Sequence, residues 1–114
     1  MEIREERAAS GILVIAPVGR IDSNTSGELE EKLFAHLAAG ETRLVIDMQQ
    51  VEYISSAGLR VLLRLAQKLR ERGRLVLCSL AHSVRQVFEL AGFLVLFAIE
   101  PSRELAVARM ASGG

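Results

Sequence analysis

The sequence predicts an α/β fold, a small mixed β-sheet flanked by about four helices. Two patterns carry that prediction. After an opening pair of extended segments, short apolar runs alternate with stretches whose apolar residues recur at helical spacing. The run from Arg43 to Asp47 is apolar without alternation, the pattern of a central strand buried on both faces. A chain of 114 residues, 50% hydrophobic, has material for one core and one domain, expected over 1–111 with a flexible tail at 112–114.

Taken in order, Ile3 to Glu6 and Gly11 to Val18 read as a hairpin turning at Ala8-Ala9-Ser10-Gly11. Beyond Pro17, the stretch Gly19-Arg20-Ile21-Asp22-Ser23-Asn24-Thr25 is polar and turn-prone, and Thr25 with Glu28 has the spacing of a capping box. The first helix turns Leu29, Leu33, Phe34 and Leu37 inward and ends near Gly40. From Asp47 a short polar break leads to Tyr53-Ile54. A helix from about Ser56 to Arg72 follows, with Leu59, Leu62, Leu63, Ala66 and Leu69 at helical spacing and Gly73 as its carboxy-terminal cap. Arg74 to Ser79 is a strand. Ser83 to Ala91 is a shorter helix with Val84, Val87, Phe88 and Ala91 inward, stopped by Gly92. Val95 to Ile99 reads as a last strand, and Pro101 suits the first turn of a terminal helix reaching Met110. Such alternation packs helices against a mostly parallel or mixed sheet, whose functional groups gather where strands end and helices begin. Asp22 and Ser56 both lie at such junctions and are expected to be neighbours.

Composition excludes several function classes. Lys plus Arg and Asp plus Glu each number 14, so no net charge draws the chain to nucleic acid or an anionic membrane. Trp is absent and aromatics are few, which leaves no stacking surface for bases. The single Cys78 sits in a strand-like run, cannot form an internal disulfide, and suits a reducing compartment. The run Phe93 to Ile99 is far too short to span a bilayer, and Met1 to Arg7 is charged rather than signal-like, so the expected location is the cytoplasm. A nucleophile elbow of the Gly-x-Ser-x-Gly type fails because Ile54 stands at its first glycine. His36 and His82 complete no triad, no His/Cys/carboxylate cluster has metal-ligand spacing, and Gly58 alone is no phosphate-cradling loop. The expectation is a protein without catalytic machinery, metal or cofactor.

What remains is Ser55-Ser56-Ala57-Gly58-Leu59 at the start of the most amphipathic helix. Ser56 or Ser55 can serve as its amino-terminal cap, worth about 1 kcal/mol. A serine there can equally be a phosphorylation switch, because small neighbours leave the hydroxyl approachable and a helix start tolerates phosphate. The two roles are compatible. Arg60 and Arg64, one turn apart beyond Ser56, are solvated charges or contacts for an acidic partner.

At these residues the chain resembles the STAS domain family, and within it the anti-sigma-factor antagonists of bacteria. The resemblance runs through the opening hairpin, Gly19-Arg20-Ile21-Asp22, Val45-Ile46-Asp47-Met48-Gln49-Gln50-Val51, Ile54-Ser55-Ser56-Ala57-Gly58-Leu59, Leu75-Val76-Leu77-Cys78 and Phe88-Glu89-Leu90-Ala91-Gly92-Phe93. It implies a STAS-like sheet flanked by helices and a mechanism of partner switching. Unphosphorylated antagonist binds an anti-sigma factor that is also a serine kinase; phosphorylation releases it, and a phosphatase resets the system. The family motif often reads Asp-Ser-Ser-Gly-Leu with its first serine as acceptor. Aligned on Gly58-Leu59, that acceptor is Ser56, with Ser55 in place of the aspartate and Ala57 in place of the second serine; Ser55 is the alternative acceptor. Asp22 matches an aspartate on the partner-facing side, and the expected partner-binding residues are Asp22, Asn24, Ser55, Ala57, Gly58 and Arg60. The competing reading is an accessory STAS subunit of a lipid ABC transporter or another signalling complex, without serine phosphorylation.

Overall fold

The computed structural model describes residues 1–112. Six strands, β1 (Glu2–Arg7), β2 (Leu13–Ile21), β3 (Arg43–Asp47), β4 (Val51–Ile54), β5 (Arg74–Cys78) and β6 (Ala98–Glu100), form one mixed sheet. Four helices, α1 (Ser26–Ala38), α2 (Ser56–Leu69), α3 (His82–Leu90) and α4 (Arg103–Ala111), complete the α/β architecture.

The strands lie in the order β1-β2-β3-β5-β6, with only the β1–β2 hairpin antiparallel. Period-2 alternation divides each central strand between two cores. Leu13, Ile15, Leu44, Ile46 and Leu77 face one core with Leu29 and Leu33 of α1, Leu62 and Leu65 of α2, and Val84 and Phe88 of α3. Ile12, Val14, Val45, Val76 and Cys78 face the other, closed by Ala106 and Met110 of α4. Three helices therefore cover one face and one covers the other, which is why these strands are continuously apolar. Burial pushes the Cys78 thiol up to about 11, the condition of an inert packing residue.

The structure departs from the sequence reading in ways that shape the site. Strand β2 runs on to Ile21 through Pro17. It pairs with β3 over Leu13–Ile15 and with β4 over Gly19–Ile21, so Pro17, lacking an N–H, falls in the gap between these two parallel partners. Val51–Ile54, expected as the end of a polar break, is a full strand. Where Val95 to Ile99 was expected as a strand, Leu94–Leu96 make a 3₁₀ turn and β6 begins only at Ala98. Ala91 is exposed rather than inward. Gly73 is needed less for capping than for space, since a Cβ there would lie 2.2 Å from the Thr42 carbonyl oxygen. Pro101 stands ahead of α4, which is capped by Ser102 accepting from Leu105 N–H at 3.2 Å. Of the expected tail, Ser112 closes α4 by donating its hydroxyl to the Arg109 carbonyl at 2.8 Å; residues 113–114 lie outside the described residues.

Candidate functional site

The parallel pairing of β2 with β4 sets Ile21 opposite Ile54, so the chain leaves both strands side by side. The Ser55 N–H donates to the Ile21 carbonyl at 2.8 Å and fastens the start of α2 to the end of β2. Asp22 and Ser56, each one residue beyond that bond, are thereby brought together as the sequence predicts.

The two serines have different surroundings. Ser55 is extended, the conformation of an amino-terminal cap, and its Oγ accepts from Gly58 N–H at 3.2 Å. It is half-buried. Ser56 is the first helical residue, is exposed, and its hydroxyl makes no hydrogen bond among the described residues. The cap that sequence left between them is therefore Ser55. Ala57 is half-buried, whereas Gly58 is buried: a Cβ there would lie 2.6 Å from Ile21 Cγ2 and 2.8 Å from Ile54 Cγ1. Gly58 therefore lets α2 start close against the two strand ends and presents no side chain to a partner.

Asp22 is half-buried and organises the facing loop. Its Oδ1 accepts from Asn24 N–H at 2.9 Å and Thr25 N–H at 3.2 Å. The expected capping box does not form. Thr25 Oγ1 instead accepts from Asp22 N–H at 2.9 Å and donates to the Arg20 carbonyl at 2.8 Å, while Glu28 pairs with the amino terminus. Asp22 thus satisfies the Thr25 N–H that Glu28 was expected to serve, because the turn out of β2 points its carboxylate at it first. Asn24 and Arg60 are exposed.

Sequence reasoning singled out neither Arg20 nor Tyr53 for this surface. A register shift at Gly19, which has φ +97°, lets Arg20 lie opposite Tyr53, and the guanidinium sits 4.2 Å from the ring centroid. Arg20 Nε also lies 3.7 Å from Asp22 Oδ2. The available signal was the polar pair standing one place before Ile21 and Ile54, but it acquires meaning only once β4 is recognised as a strand. Arg64 is held by Glu30 of α1.

A second polar centre lies at the end of β3. Asp47 is 3% exposed; Oδ1 accepts from Gln49 N–H at 3.0 Å and Oδ2 from Arg103 Nε at 2.8 Å. Arg103 reaches on to Glu6, and its guanidinium pKa is raised, first by the bond to Asp47. Of the histidines, His36 bonds Glu5 through Nε2 at 2.8 Å, lowering the Glu5 carboxyl, while His82 is exposed at the start of α3. Among the described residues no group of three His, Cys, Asp or Glu side chains could hold a metal, and no helix is long and apolar enough to cross a membrane.

Fold and site together define a small α/β domain that presents an unengaged serine hydroxyl at a helix start. The chain belongs to the STAS domain family, whose match spans residues 5–106, and two relatives that it matches bear the name of anti-sigma-factor antagonists. It is 46% identical over 99 residues to BtrV of Bordetella bronchiseptica, a candidate anti-sigma factor antagonist, covering 86% of this chain and 85% of that one. It is 30% identical over 83 residues to the anti-sigma-F factor antagonist RsfB of Mycobacterium tuberculosis, covering 73% and 68%. The crystal structure of an anti-sigma factor antagonist from Mycobacterium paratuberculosis superimposes with a TM-score of 0.88 at 26% identity, covering 96% of this chain and 93% of that one.

Proposed function

We propose that the protein is a cytoplasmic anti-sigma-factor antagonist that works by partner switching, with Ser56 as the phosphorylated residue and no catalytic activity of its own. Unphosphorylated, it binds an anti-sigma factor that is also a serine kinase and so frees the sigma factor. Phosphorylation of Ser56 releases it, and a phosphatase restores the starting state. The observation that carries this reading is the division of labour between the serines: Ser55 is committed to Gly58 N–H, whereas Ser56 is exposed and its hydroxyl is unbonded among the described residues. Asp22, Asn24, Ala57 and Arg60 surround or adjoin it as the partner-facing groups, joined by Arg20 and Tyr53.

The switch follows from where charge is tolerated. A phosphoserine adds close to two negative charges, which the open start of a helix accepts at little cost. Against a partner surface shaped for a hydroxyl, the same charge must be desolvated without compensation. Folding survives and docking fails. The test is incubation of the purified protein and its Ser56→Ala variant with ATP and the candidate anti-sigma factor kinase, followed by intact mass and peptide mapping. One phosphate is expected on Ser56 and none on the variant, which keeps partner binding, while Ser56→Asp binds more weakly. Undiminished phosphate incorporation in Ser56→Ala would overturn the assignment. No phosphate from a kinase active on another substrate would make the chain a constitutive STAS subunit.

A further inference from the structure

Of the three arginines at the end of β2 and along α2, two are engaged. Arg20 lies over Tyr53 and beside Asp22, and Arg64 is paired with Glu30. Arg60 is exposed and has no carboxylate within salt-bridge distance among the described residues. It stands four residues beyond Ser56, which is already helical, so the two side chains occupy neighbouring places on one face of α2, about 5–6 Å apart at Cβ. The order is the favourable one, anion toward the amino terminus and cation toward the carboxy terminus.

We propose that Arg60 is the internal partner of a phosphate on Ser56, so that phosphorylation draws this charge away from the surface offered to the anti-sigma factor. This rests on the partner-switching reading above and adds a second half to it. The modification places a charge that must be desolvated against the partner and also occupies a cation the partner would otherwise meet. The local geometry leaves Arg60 as the available counter-charge. Gly58 N–H is taken by Ser55 Oγ and Leu59 N–H by the Ser55 carbonyl, so among nearby backbone donors only those of Ser56 and Ala57 are unclaimed. Asp22, the neighbouring anion, directs Oδ1 at two backbone N–H groups and has Arg20 beside Oδ2, so its repulsion of a phosphate is partly offset. A guanidinium, planar and permanently charged, binds phosphate through two parallel N–H groups, which a lysine cannot reproduce.

The experiment installs phosphoserine at position 56 during synthesis, so that no kinase is needed, in the full chain with Arg60, Arg60→Lys or Arg60→Gln. The Arg60 side-chain N–H resonances are followed by ¹H–¹⁵N NMR, and unfolding is measured in denaturant with and without the phosphate. With phosphate present, the Arg60 Nε–H signal is expected to shift and exchange more slowly with water. The phosphate's effect on the unfolding constant is expected to differ about two- to fivefold between Arg60 and Arg60→Gln. Arg60→Lys should fall between them, and the difference should shrink in about 0.5 M salt. An unmoved Nε–H signal together with equal effects of the phosphate in Arg60 and Arg60→Gln would overturn the proposal. Because the phosphate is placed synthetically, a kinase that fails to modify Ser56 sinks the partner-switching reading without deciding this measurement, and the reverse outcome is equally separable.

Discussion

Strands β3 and β4 both run parallel to β2, and each hands the chain on at its carboxy-terminal end through a polar residue, yet the two ends have opposite fates. Asp47 at the end of β3 is sealed: Gln49 N–H and the Arg103 guanidinium claim its two oxygens, and α4 covers that side of the sheet. Ser56, just past the end of β4, is open, because its neighbour Ser55 has taken the capping bond and Gly58 has let α2 pack close without covering it. A strand end is a favourable place for function, but position alone does not make it one. What separates the two ends is whether the polar group's hydrogen-bonding capacity is already spent inside the fold.

The largest effect that would break this contrast is on stability. Asp47→Ala leaves the Gln49 N–H without its acceptor and Arg103 without its buried partner. Removing one member of a buried pair costs several kcal/mol, and since the Arg103 side chain is 35% exposed and retains Glu6, the expected loss is about 2 kcal/mol. Ser56→Ala should change stability by less than about 0.5 kcal/mol. Urea unfolding of both variants measures the difference, and equal losses would mean that the two ends are built alike.

Next comes Gly58→Ala. Alanine is the better helix former by up to about 1 kcal/mol. The added Cβ, however, meets buried branched side chains at 2.6 and 2.8 Å that cannot swing away. Overpacking costs about 1–3 kcal/mol, so a net loss of about 1 kcal/mol is expected. A stabilised Gly58→Ala would show that the start of α2 is not held tight against Ile21 and Ile54.

Ser55→Ala sharpens the comparison within the site. Loss of the cap should cost about 1 kcal/mol while leaving phosphate incorporation at Ser56 in place. The reverse pattern, a stable Ser55→Ala that no longer accepts phosphate, would exchange the roles of the two serines.

How much of this was legible in the sequence follows the same division between local and distant determinants. The helix beginning at Ser56 and its apolar face are set by residues within a few turns of one another, and both were readable. So was the adjacency of Asp22 and Ser56, since parallel strands deliver their loops to one edge. Strand β4 was not, because four residues with two exposed in the middle carry neither alternation nor a continuous run, and only Gly19–Ile21, some thirty residues away, give them a ladder. The cap was ambiguous because adjacent serines differ only in backbone conformation, which Gly58 and the Ile21 carbonyl decide. Leu94-Val95-Leu96 misled because an apolar run reads as buried strand, whereas Val95 is 89% exposed on a 3₁₀ turn. The sealing of Asp47 depends on Arg103, 56 residues away, and no periodicity announces it.

The smallest expected effect tests whether burial, and not ion pairing as such, closes the β3 end. Glu5 and His36 form a pair as short as Asp47 and Arg103, at 2.8 Å, but on the surface. The Glu5 carboxyl is held below its ordinary value of 4.5, chiefly by the hydrogen bond from His36 and against the cost of desolvation, with Lys32 adding to the lowering. A carboxyl with a depressed folded-state pKa takes up protons more readily in the unfolded chain. Its contribution is therefore fully present above 4.5 and lost as the pH falls through the lower folded-state value. Glu5→Gln should leave stability at pH 7 nearly unchanged, within about 0.5 kcal/mol, and make the decline below pH 4.5 slightly shallower. Urea unfolding at a series of pH values reads both. If Glu5→Gln cost as much as Asp47→Ala at neutral pH, an exposed pair would be doing what is here ascribed to a sealed one. The openness of Ser56 would then have to be explained by something other than spent hydrogen bonds.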